Sequence, residues 1–169
     1  TMLFRLGVVK GDRVAILSTS SPNWGISYLA IVSLGAIAVP LLPDFSAKEV
    51  ESCLIHSGAT MLIVSARLAD RVSPEARKGI TRIVRIDDLS VLLGDEAFQG
   101  DAPESRVEED DSASIIYTSG TTGRSKGVEL SHKNLVFNAI GGQFFHRINK
   151  FDVGLSILPM SHVYEFTIG

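Results

Sequence analysis

From Thr118 to Lys126 the chain reads Thr-Ser-Gly-Thr-Thr-Gly-Arg-Ser-Lys: three threonines, two serines and two glycines in nine residues that end on a lysine. That set is a poor core and a good wrapping for a group rich in oxygen. Gly120 and Gly123 let backbone N–H groups approach a ligand, and the hydroxyls of Ser119, Thr121 and Thr122 add donors that carry no fixed charge. Lys126 supplies one mobile point charge. Together they suit a phosphate chain. A plain Gly/Ser linker would need neither the lysine nor strands on both sides.

Those strands are legible. Ala113 to Tyr117 (ASIIY) is a short, β-branched apolar run that delivers the chain into the loop, and Val128 to Leu130 is short and extended on its far side. Ser131 then caps a helix running to about Arg147, and a strand is expected over Val153 to Leu158. Upstream, Asp12 to Ser18, Ile37 to Leu41, Thr60 to Val64 and Arg82 to Ile86 read as strands. A helix capped by Ser21, with Pro22 in its first turn, follows the first; its apolar positions are Trp24, Tyr28, Leu29, Val32 and Ala36. Ser46 caps the next helix, in which Val50, Leu54 and Ile55 form one face and Gly58 marks the stop. A third is expected around Ala66 to Lys78. The alternation predicts an α/β fold, a mainly parallel sheet flanked by helices. The acidic, Gly- and Pro-containing stretch from about 94 to 111 reads as an exposed connection.

Composition narrows the function. The chain has 169 residues, 45% hydrophobic and 21% charged, which is the length of about one globular domain. A net charge of -3 without any Lys/Arg cluster argues against a nucleic-acid groove or a polybasic membrane patch. Cys53 is the only cysteine, so no intrachain disulfide can form; it is expected to pack, in a reducing compartment. The most apolar stretch, Tyr28 to Leu42, falls short of the roughly 20 residues that cross a bilayer, and the opening residues carry no secretory signal pattern. A cytoplasmic setting, at most peripheral to a membrane, is expected.

Spacing tests two phosphate motifs. A Walker-type loop needs Ser or Thr after its lysine, and here Gly127 follows Lys126. A dinucleotide fingerprint needs G-x-G-x-x-G, which neither Gly120-Thr121-Thr122-Gly123 nor Gly141-Gly142 provides. Both fail.

The stretch Tyr117-Thr118-Ser119-Gly120-Thr121-Thr122-Gly123-Arg124-Ser125-Lys126-Gly127, followed by Ser131-His132-Lys133-Asn134, closely resembles the phosphate-binding signature of the adenylate-forming superfamily, which includes acyl-CoA synthetases, peptide-synthetase adenylation domains and firefly luciferase. Ser125 departs from it where Pro is usual. The resemblance covers nearly the whole chain: the GDRVAI segment, the run SLGAIAVPLLPDFSAKEVESCLIHSGATMLIVS and the closing ILPMSHVYEFTIG are similar to further family segments in the same order.

The resemblance implies a reaction in which a carboxylate attacks the α-phosphorus of ATP to give acyl-adenylate and pyrophosphate, after which a thiol, usually that of CoA, takes the acyl group. It implies catalytic roles for Lys126, Thr122 and His162, and ATP contacts from Thr118, Ser119, Gly120, Thr121, Thr122, Gly123 and Lys126. Thr118 is implied as the hydroxyl that touches Mg²⁺. His162, Val163, Tyr164 and Glu165 fall where the family places its acyl pocket. Their S-H-V-Y-E pattern is more similar to long-chain fatty acyl-CoA synthetases than to the aryl- or amino-acid enzymes.

His56, His132 and His146 read as helix-surface or cap-adjacent, and Trp24, Phe144 and Phe145 as core or interface. The chain is shorter than the whole family enzyme, so residues 1–169 are expected to be part of its large N-terminal domain. Alone they are expected not to form acyl-adenylate, and to self-associate through apolar faces normally covered. The competing expectations are adenylation of another carboxylic acid, aryl or amino, and a nucleotide-binding module without chemistry.

Overall fold

In a computed structural model, the residues described are 2–95, 97–99, 106–118, 126–146, 157–162 and 165, with the side chains of 143–146 left aside. A short helix α1 (Met2–Arg5) precedes β1 (Arg13–Leu17), α2 (Pro22–Ser33), β2 (Ile37–Leu41), α3 (Ala47–Ser57) and β3 (Met61–Val64). A 3₁₀ turn (Ala66–Arg71), α4 (Pro74–Arg77), β4 (Arg82–Arg85), β5 (Val91–Leu93), β6 (Ser112–Thr118), β7 (Lys126–Ser131) and α5 (His132–His146) follow.

The seven strands form one sheet in the order β5-β4-β3-β1-β2-β6-β7. From β4 to β6 all neighbours run parallel, and only the edge strands β5 and β7 are antiparallel. The expected mainly parallel α/β sheet is therefore present. From β1 the chain passes through α2 to β2 on one side, then through α3 to β3 on the other. With crossovers of one hand, that reversal puts the two helices on opposite faces.

The core confirms it. Val14 and Ile16 of β1 pack with Trp24, Tyr28 and Ile31 of α2, whereas Ala15 and Leu17 pack with Val50, Cys53 and Leu54 of α3. A strand with apolar residues on both faces reads as a continuous hydrophobic run, which is why β1, β2 and β3 are legible.

Several expectations shift in detail. The buried stripe of α2 is Trp24, Ser27, Tyr28 and Ile31, while Leu29 faces out. In α3 it is Val50, Cys53, Leu54 and Ser57, the i, i+3, i+4, i+7 set, and Ile55 is 62% exposed. The expected helix over 66–78 is two pieces, because Ser73 is extended (φ -62, ψ 157) ahead of Pro74 and its side chain caps a new helix by accepting from the Ala76 N–H. Of the expected strand 153–158, residues 153–156 lie outside the described residues, and Ile157 and Leu158 belong to no strand.

The connection after β5 is exposed where described, yet it is not loose. Ala97 and Phe98 donate backbone N–H groups to the Arg5 carbonyl, and Phe98 stacks on Phe4 at 4.9 Å. At its other end Lys10 Nζ lies 2.6 Å from the Asp111 carboxylate.

Candidate functional site

Thr118 and Lys126 are register partners at the loop end of the β6/β7 hairpin. Both are longer in the strands than the sequence suggests: β6 runs on to Thr118 and β7 begins at Lys126, so each sits on a strand end and not inside the loop. Residues 119–125, which include Ser119, Gly120, Thr121, Thr122 and Gly123, lie outside the described residues. Their two ends are nonetheless fixed by the sheet. Lys126 is exposed and makes no ion pair among the described residues, so its charge is available.

Beyond β7 the helix start is held by a reciprocal cap. Ser131 accepts from the Asn134 N–H at 3.3 Å, and Asn134 Oδ1 accepts from the Ser131 N–H at 3.0 Å. That is the capping-box arrangement with Asn in the reaching role. It gives Ser131 and Asn134 of the S-H-x-N pattern a structural task, orienting α5 against the hairpin. His132 is the first helical residue, and burial lowers its pKa, opposed by the nearby Asp111 carboxylate.

Thr118 also borders a cavity of about 310 Å³ lined by Leu42, Phe45, Ile116, Tyr117, Thr118, Ser161 and His162. It lies at the carboxyl ends of β2 and β6, where open α/β sheets receive their ligands. Pro40 deprives β2 of one backbone donor, and β2 pairs with β6 through the single register Ala38↔Ser114. The walls are firmly set. Arg71 donates to the carbonyls of Pro43 and Phe45, the latter at 2.7 Å, and Ser46 and Glu49 form a capping box immediately afterwards.

His162 reaches the cavity through a turn, its N–H donating to the Pro159 carbonyl at 2.8 Å. That turn is docked on the start of α2: the Met160 N–H donates to Ser20 Oγ at 3.0 Å. Met160 also packs close to Gly25, where an added Cβ would lie 3.3 Å from Met160 Cε. Ser161 is 3% exposed and Glu165 7%, and neither Ser161 Oγ nor Glu165 Oε1 has a hydrogen-bond partner among the described residues. Val163 and Tyr164 lie outside the described residues. The structure thus brings Thr118 and His162 to one cavity and sets Lys126 across from Thr118, while Glu165 is not among the cavity's lining residues.

A model of the AMP-binding enzyme family matches residues 1–169. The chain belongs to that family. It is 34% identical to 4-coumarate–CoA ligase 1 of Petroselinum crispum and 29% identical to fatty acyl-CoA synthetase A of Dictyostelium discoideum; each alignment covers 96% of this chain and 32% and 27% of those proteins. Among solved structures, ATP-bound MatB from Rhodopseudomonas palustris superposes with a TM-score of 0.78 at 29% identity, over 99% of this chain and 34% of that one. The acyl-adenylate complex of o-succinylbenzoate CoA synthetase from Bacillus subtilis superposes with a TM-score of 0.76 at 26% identity, over 98% and 43%. The chain therefore spans about a third of the length of the curated relatives it matches.

Sequence reasoning within this family missed two residues. His56, read as a helix-surface residue, places Nδ1 2.8 Å from Tyr117 Oη. Gly127, passed over in favour of Lys126, faces the Tyr117 ring from β7. Gly127 could have been found, because a glycine inside a strand marks a close approach. His56 could not, since only the fold brings it to Tyr117.

Proposed function

We propose that this chain is the triphosphate-gripping and acid-receiving part of an ATP-dependent acid–CoA ligase, within the large N-terminal domain of a longer enzyme. The observation that carries the proposal is the pairing of Thr118 with Lys126 at the rim of the cavity that also holds His162. It closes a loop of hydroxyls and glycines with a lysine at its exit, beside a recess for a second substrate.

In this reading the backbone and hydroxyls of 119–123 follow the β- and γ-phosphates, and the Lys126 ammonium offsets charge on the oxygens between the α- and β-phosphorus. A carboxylate oxygen of the acid forms a bond to the α-phosphorus as the bond to pyrophosphate breaks. Little covalent work falls to the protein, so rate comes from positioning and from donors already aimed at the developing charge. His162, at the cavity edge, orients the carboxylate. The thiol of CoA then attacks the acyl carbon: a C–S bond forms, the C–O bond to AMP breaks, and the thiol proton leaves.

Mg²⁺ belongs to the proposal through Thr118 alone. The family resemblance is what assigns the Thr118 hydroxyl to it, and Thr118 stands at the end of β6 on the cavity edge. That fits an ion which keeps several waters and is otherwise held by substrate phosphates. Such an ion would neutralise triphosphate charge.

For the acid, the Ser161–Glu165 pattern favours a fatty acid. A second reading, an aryl acid, is supported by the 4-coumarate–CoA ligases among the relatives. ATP–pyrophosphate exchange by the full-length protein with fatty, aryl and amino acids separates the two. Among the described residues no helix is long and apolar enough to cross a membrane; a cytoplasmic setting, at most peripheral to a membrane, belongs to the same proposal.

A further inference from the structure

Tyr117 is the residue on which the phosphate loop begins, and three elements converge on it. From β7, Gly127 is its register partner; a Cβ added at Gly127 would lie 3.1 Å from Ile115 Cγ2 and 3.4 Å from Tyr117 Cε1, so a side chain there would crowd Ile115 and touch the Tyr117 ring. From the last turn of α3, the His56 ring meets the Tyr117 ring edge-on, with centroids 5.8 Å apart, and its Nδ1 is 2.8 Å from the phenol oxygen. On its other side Tyr117 lines the cavity that holds Thr118 and His162. The residue is 4% exposed overall, and burial pushes its phenol up to about 12, so the hydroxyl stays protonated across the working pH range.

α3 itself is firmly placed. Its N-terminus carries the Ser46–Glu49 capping box, its C-terminus ends on Gly58 in the left-handed conformation (φ 65), and Val50, Cys53 and Leu54 are buried against the sheet. His56 therefore ties the mouth of the hairpin to a rigid helix. Such a tie supports the hairpin, because among the described residues β7 is an exposed edge strand paired with β6 alone. On its other side, β6 has one register pair with β2, Ala38↔Ser114, and Tyr117 adds packing in the core cluster with Val39 and Leu41.

We propose that His56 and Tyr117 are positioning residues for the phosphate loop: their hydrogen bond, with the Tyr117 ring seated on Gly127, sets where Thr118 and Lys126 present the loop to the triphosphate. The proposal rests on the reading of 118–126 as that loop. His56 does not line the acid cavity and Tyr117 borders it only on its other side, so neither is assigned a phosphate contact. Their effect passes through the position of the strand end, so it falls on groups that contact phosphate and spares the nucleoside.

The test is binding of ATP and of adenosine to the full-length protein by calorimetry, without any acid, for wild type, Tyr117→Phe, His56→Ala, the double variant and His56→Asn, whose amide can stand where Nδ1 does. Losing one hydrogen bond is expected to weaken ATP binding about three- to tenfold, with adenosine binding unchanged. The double variant should be no weaker than either single one, and His56→Asn should recover most of the loss. Equal losses for ATP and adenosine, independent losses in the double variant, or ATP binding unchanged in both single variants would each overturn the proposal. Absence of wild-type ATP–pyrophosphate exchange for every acid tried, alongside the expected binding pattern, would defeat the ligase reading and leave this one standing. Wild type that binds no ATP would end both.

Discussion

Thr118 and Lys126 stand opposite each other as the last partners of the β6/β7 hairpin, so the seven residues between them span one antiparallel step, about 5 Å between Cα atoms. The hairpin thus fixes both ends of that segment at the carboxyl end of β6, next to the cavity lined by Thr118 and His162.

The glycine after the lysine is expected to be as necessary as the lysine. Gly127→Val would drive a branched side chain into Ile115 and Tyr117, where even a Cβ is 3.1 Å from Ile115 Cγ2. Overpacking of this kind costs about 1–3 kcal/mol. Urea unfolding should show a lower midpoint for this variant, and a smaller loss for Gly127→Ala.

The face of the sheet that carries α2 depends on its aromatic pair. Trp24 is fully buried and stacks on Tyr28 with ring centroids 5.4 Å apart. Trp24→Ala is expected to cost about 3–5 kcal/mol, and Trp24→Phe clearly less. Because the Met160 turn is docked on the same end of α2, the His162 region should lose protection from hydrogen exchange along with it.

How much was legible from sequence alone follows from how local each determinant is. The caps at Ser21, Ser46 and Gly58 act over three or four residues and could be read directly, as could the strands buried on both faces. The break before Pro74 is also local, and a helix drawn through Ser73-Pro74 overlooks a start signal. β5 is different: three exposed residues pairing antiparallel with β4 leave almost no pattern. At the candidate site, the family resemblance singled out Thr118, Lys126 and His162, and the fold sets Thr118 and His162 on one cavity; Leu42, Phe45 and His56 come near it only through the β2–α3 connection and α3. Their sequence separation from β6 hides them.

Stability should depend on pH through His132. Burial lowers its pKa below the ordinary value of 6.5, with Asp111 opposing and Lys10 reinforcing the shift. The unfolded chain then takes up its proton first as pH falls, so the contribution is intact above 6.5 and is lost between 6.5 and the lower folded value. The unfolding free energy is expected to fall on acidification through that window. In His132→Asn the fall should be shallower, the remainder belonging to carboxylates.

The exposed side of α5 makes a further prediction. Val136 (56% exposed), Phe137 (77%) and Ile140 (62%) form an apolar stripe at helical spacing beside Glu109 and Lys133. Residues 1–169 expressed alone are expected to self-associate through it. Sedimentation velocity should show oligomers that dissociate in a Val136→Ser, Phe137→Ser, Ile140→Ser variant; a monomer at high concentration would count against the idea.

The most direct test of the central claim is ATP–pyrophosphate exchange by the full-length protein with a panel of fatty, aryl and amino acids. The account predicts exchange that requires one class of acid, falls about 100-fold or more in Lys126→Ala, where a charge on the transferring group is lost, and falls about tenfold in Thr122→Ala, where one donor is lost. Measurable ATP binding with no exchange for any acid would contradict it, and would mark the chain as part of a nucleotide-binding module without ligase chemistry.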